Sequence, residues 1–161
     1  MTTASLAPII DQLHLQTRLF KNVTADITDT DSQKRFTDST NHIAWLAGHI
    51  VSTRYMMANM LGVQASEPYP ELFAQGKGLS EGAKYPSLAD LTKDWDSISK
   101  ALTDKLEVLS DTEANAAPPF PVPVSDQTMS GFINFTTHHE GYTIGQIGLL
   151  RRLNGYPAMK Y

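Results

Sequence analysis

The sequence predicts an all-α protein, a four-helix bundle with a long crossover loop between its second and third helices. Three observations carry this. Apolar residues recur at helical spacing in four separate segments. No stretch alternates apolar and polar residues over a length useful to a strand. The connection between the second and third segments, Val63 to Pro86, is far longer than a helix-to-helix turn requires. The chain of 161 residues forms a single domain over 1–161, of a size that removes roughly 70% of its unfolded surface from water without staples.

The first helix is expected over roughly residues 4 to 27, because Leu6, Ile10, Leu13, Thr17, Phe20 and Ile27 lie on one face and Pro8 falls in a tolerant first turn. The polar run Thr28 to Asp38 is a connection. Ser39 or Thr40 then caps a second helix that reaches about Leu61, with Gly62 at the C′ position. Its stripe of Ile43, Leu46, Ile50, Met57 and Leu61 also carries His42, Trp45 and His49, so this face points inward. The stretch EPYPELFAQGKGLSEGAKYP is an ordered loop with one short turn around Pro70 to Ala74.

Ser87 with Asp90 three residues on opens the third helix, whose stripe runs Leu88, Leu91, Trp95, Ile98, Leu102, Leu106 and Leu109. The segment Asn115 to Val124 holds four prolines and crosses the bundle extended. A fourth helix spans about Asp126 to Leu153 and stops at Asn154-Gly155.

Composition excludes several functions. With no cysteine there are no disulfides, no thiolate zinc site and no cysteine nucleophile. The N-terminal stretch lacks the basic-then-apolar pattern of a signal peptide, and no apolar run approaches the roughly 18 residues of a membrane span, so no membrane partner and a cytoplasmic location are expected. A formal charge of −4 without a block of lysine or arginine argues against a nucleic-acid partner.

The chemistry concentrates in histidines. His42 and His49 share a face but stand seven residues apart, a rise of about 10.5 Å that makes joint ligation of one ion awkward. His49 on the second helix and His139 on the fourth pair more plausibly across the bundle. Two readings stand side by side: a metal site, or imidazoles hydrogen-bonded to each other. Thr143 occupies the position one turn after His139 where a second ligand on that helix belongs. Glu67, Glu71 and Glu81 in the long loop are further carboxylates; Glu140 points about 100° away from His139 around its helix.

Other prominent residues have structural readings. His138 belongs at the surface, His14 on the flank of the first stripe, His42 at a cap, and Met56, Met57 and Met60 in the core. Gly141, Gly145 and Gly148 permit close approach of a neighbouring helix, within the chain or across a homodimer. Gln146 serves packing or the cavity. Arg151 and Arg152 complement the dipole of the last helix.

Three motifs occur in order: IAWLAGH ending at His49, YPELF followed by YPSLADL, and H-E-x-Y-x-x-G-Q-I-x-x-L-R-R-x-x-G from His139 to Gly155. In this combination the chain resembles the DinB/YfiT-like superfamily of damage-inducible four-helix proteins over most of its length. The resemblance implies a divalent metal, zinc or nickel, held by three histidines near one end of the core. In some members that metal activates a low-molecular-weight thiol. His49 would be the second-helix ligand and His139 the first ligand of the last helix, while Thr143 replaces the third, with a hydroxyl that ligates such metals poorly. The implied function is a metal-dependent, thiol-linked transferase or hydrolase with a degenerate histidine site, acting on an unidentified small molecule. The alternative is a non-catalytic small-molecule binding or interaction module that keeps the bundle and a homodimer.

Overall fold

The computed structural model describes residues 6–74 and 76–161. Among them, four long helices, α1 (Ala7–Thr24), α3 (Ile43–Met60), α5 (Leu88–Glu107) and α7 (Met129–Leu153), are joined by three short ones, α2 (Asp29–Ser32), α4 (Pro70–Phe73) and α6 (Asp111–Asn115). No strand occurs among the described residues. Among the described residues no helix is long and apolar enough to cross a membrane.

Local chemistry sets each boundary. The first helix ends at Thr24, before the expected 27, because Asp26 turns the chain into a left-handed conformation at φ 64°; residues 4 and 5 of the expected start lie outside the described residues. The second long helix begins at Ile43, later than a Ser39 or Thr40 cap predicts. His42 is extended there and its Nδ1 accepts the Trp45 N–H at 3.0 Å, so histidine does the capping. That helix closes at Gly62, φ 89°, where Gly62 N–H donates to Asn59 O and Val63 N–H to Ala58 O, the paired bonds of a Schellman motif. Ser87 caps α5 through Asp90 as expected.

The small helix α6 was not expected from hydropathy. A capping box builds it: Ser110 accepts from Glu113 N–H while the Glu113 carboxylate accepts from Ser110 N–H. The chain then runs irregularly, pinned where Gln127 bonds both the N–H and C=O of Val122. The last helix starts at Met129, three residues after the expected Asp126, under a Thr128 cap. Gly131 is required in its first turn, since a Cβ there would lie 1.9 Å from the Asp126 carbonyl oxygen.

The long helices pack in the cyclic order α1, α7, α3, α5. The long Val63–Pro86 connection therefore joins neighbours, while α1 to α3 and α5 to α7 step across diagonals. Gly141 and Gly148 face Gln16 and Val23 of α1, whereas Gly145 has open space above it. The expected helix approach is thus within the chain for two of the three glycines. Arg151 has a use beyond the dipole of its own helix: it is buried and donates to Val23 O and Ala25 O, closing the C-terminus of α1.

Arg54 sits at the centre of the bundle, 1% exposed, and reaches all four long helices. Its Nε and Nη2 form a two-pronged pair with Glu140 of α7 at 2.8 and 2.9 Å. The remaining donors meet Thr17 Oγ1 and Leu13 O of α1 and Ser99 Oγ of α5. The guanidinium also lies 3.5 Å from the centre of the Trp95 ring, which itself stacks on Phe20. Burying two charges is tolerable here because nearly every donor is satisfied.

Candidate functional site

Because α3 and α7 are neighbours, residues at the same level on both meet. His49 Nε2 and His139 Nε2 stand 3.2 Å apart, the rings near perpendicular at 74°. Trp45, one turn before His49, stacks on it with ring planes 8° apart, and Phe135 lies against His139. Both rings are half-buried between these aromatic neighbours. Burial pushes the His49 imidazole down to about 4, helped by the nearby His139, and also lowers His139, where His138 adds to the effect. Both are neutral at pH 7, so a single proton joins the two nitrogens. His139 Nδ1 is buried without a partner. The tautomer that avoids burying an unpaired N–H puts the shared proton on His139 Nε2, with His49 accepting.

Thr143 is buried one turn further on, and its hydroxyl donates to the His139 carbonyl at 2.9 Å. It is spent on its own helix. His42 lies elsewhere, against Tyr85, as the cap of α3; His14 and His138 are exposed.

The residues present do not fit the three-histidine metal centre. Two imidazoles meet, the third position holds a hydroxyl already bonded to backbone, and among the described residues no three His, Asp or Glu side chains gather closely enough to hold an ion. A metal-bound histidine almost always donates its other ring N–H to an acceptor, and His139 Nδ1 has none.

Beside His49 opens a cavity of about 250 Å³. His49, Ser52 and Thr53 form its α3 side, Met56, Phe73 and Ala74 its apolar wall, and Glu67 its carboxylate. The Ser52 hydroxyl donates to Glu67 Oε1 at 2.5 Å, with Phe73 O at 3.2 Å as a second acceptor. Phe73 can lie on α3 only because residue 48 is glycine: a Cβ there would come within 2.1 Å of its ring. The geometry thus gives a recess with one acidic group, one neutral histidine and an aromatic wall, suited to holding a small molecule by mixed polar and apolar contacts.

The structure brings His49 and His139 together, and of the loop acids it places Glu67 in the recess. Glu71 is exposed on α4, Glu81 pairs with Arg35 at 2.7 Å, and Glu140 is taken by Arg54. Ser52 and the Arg54–Glu140 pair were missed. A signal for the pair existed: Arg54 is the one Arg, Lys, Asp or Glu within α3, and Glu140 the one acid within α7.

A family model described as the DinB superfamily matches residues 12–147. A crystal structure of a DinB-like protein from Bacillus subtilis superposes with a TM-score of 0.60 at 13% identity, covering 99% of this chain and 97% of that one. At that identity it speaks for the shared fold. No curated protein matches the chain.

Proposed function

Because this chain belongs to the DinB superfamily, we propose that it is a small-molecule-binding member whose His49–His139 pair works as a neutral, hydrogen-bonded couple rather than as part of a metal centre. The observation that carries the reading is the hydrogen bond from Thr143 to the His139 carbonyl. It removes the third family position from ligation and leaves two imidazoles bonded to each other beside a cavity. Protein purified without chelator should hold well under one equivalent of zinc or nickel by mass spectrometry; a stoichiometric metal abolished by His49→Ala overturns the reading.

A second reading, a metal-dependent, thiol-linked transferase or hydrolase, is favoured by one distance. Two nitrogens each about 2.0–2.1 Å from a tetrahedral zinc stand roughly 3.3 Å apart, close to the 3.2 Å between His49 and His139. It needs a third ligand from outside the chain or from the substrate, and the same metal analysis separates the two.

A cytoplasmic homodimer belongs to this proposal. Tyr142, Leu149 and Leu153 are 65%, 63% and 54% exposed on the outer face of α7, with Gly145 open among them. A second copy covering that stripe gives these side chains an apolar contact.

A further inference from the structure

Glu67, unlike Glu81, Glu113 and Glu140, has no ion pair among the described residues. Arg35, Lys105 and Arg54 neutralise Glu81, Glu113 and Glu140. Among the described residues Glu67 has only the Ser52 hydroxyl, on Oε1, and its Oε2 has no partner. It is the one carboxylate lining the cavity, and no lysine or arginine lines it. The surroundings are electronegative as well: burial first, then Asp94, Tyr69 and Glu67, push the Tyr55 phenol up, and burial with Asp90 raises Asp94, opposed by Lys93. In the same lining, Met56, Phe73 and Ala74 present carbon.

We propose that this cavity takes a small organic cation, an ammonium on a short aryl or alkyl body, with its N–H groups on Glu67 and its carbon skeleton against Met56, Phe73 and Ala74. The proposal rests on the small-molecule-binding reading above and adds the ligand's chemical class. A charge-assisted bond to a carboxylate is about twice as strong as a neutral one, and a half-buried recess excludes enough water for it to count. Size agrees: an apolar cavity of about 150 Å³ holds benzene, so the 250 Å³ here leaves room for a ring and a one-carbon ammonium arm.

The test is a titration of the full chain at pH 7 with benzylamine, benzyl alcohol and benzoate, followed by calorimetry and amide NMR shifts. Benzylamine, protonated at that pH, should bind roughly tenfold more tightly than the alcohol, with benzoate weakest and shifts centred on Glu67, Phe73 and Ala74. Glu67→Gln should bring the amine down to the alcohol's affinity with the melting temperature unchanged. Glu67→Asp, which keeps the charge and withdraws it by one carbon, should weaken the amine alone, a check that holds if the amide disturbs folding. Equal or tighter binding of alcohol or benzoate in the cavity, or amine binding indifferent to both substitutions, overturns the cation and leaves the small-molecule reading standing. Failure of all three probes to bind at millimolar concentration overturns both.

Discussion

Arg54 and Glu140 interact in the core where each would otherwise be an uncompensated buried charge. Burial pushes the Glu140 carboxyl up while the Arg54 guanidinium beside it holds it down. Removing one partner of such a pair costs about 3–5 kcal/mol, whereas replacing both with well-packed apolar residues is often neutral. Arg54→Met and Glu140→Leu should each lower urea stability by that amount, and the double variant should lose much less than the sum; strict additivity would mean that the pair is not coupled. His42 makes a second prediction. Burial lowers it to about 4 from an ordinary 6.5, so it is neutral in the fold and the unfolded chain takes the proton first. Its contribution is intact above pH 6.5 and is lost as pH falls toward 4, by up to roughly 3 kcal/mol from the linkage of 1.36 kcal/mol per unit. His42→Asn keeps an acceptor at the cap and should flatten that part of the stability–pH curve.

At the scale of elements, the site depends on α4 lying flat on α3, which Gly48 alone permits. Gly48→Ala forces Phe73 away from contacts that would be 2.1–2.5 Å; overpacking of this kind costs about 1–3 kcal/mol. A lowered melting temperature together with altered probe binding is the expected result, and an unchanged cavity would show that α4 can shift freely. The long helices were legible because their stripes repeat over several turns. Their ends were less so: Ser39 and Thr40 offer the usual cap chemistry three and two residues before His42, which takes the cap, and an aspartate at φ 64° carries no periodic signal. The short α6 was legible only through its Ser110–Glu113 capping box, since five residues are too few for a stripe. In the site, the motifs led to His49 and His139, while Glu67 depended on the path of a loop whose course no spacing dictates. The loneliness of Arg54 and Glu140 on their helices was the one readable trace of the core pair.

For the whole molecule, the cyclic order of the helices explains why residues ninety positions apart form one site: α3 and α7 are neighbours and bring His49 and His139 to one level. It also turns the outer face of α7, with Tyr142 and Leu149, away from the core. Light scattering should give twice the chain mass for the protein, and Leu149→Glu should halve it; a monomeric parent removes the proposed homodimer without touching the site. In the proposed function the two histidines bond to each other instead of sharing a metal. The most direct measurement is a zinc titration followed through the imidazole nitrogen resonances of His49 and His139. The rings should be neutral in the apo protein, with no joint, saturable shift of both Nε2 signals at one equivalent, and such a shift should appear in Thr143→His. A tight, one-equivalent shift of both signals in the unmodified chain would contradict it.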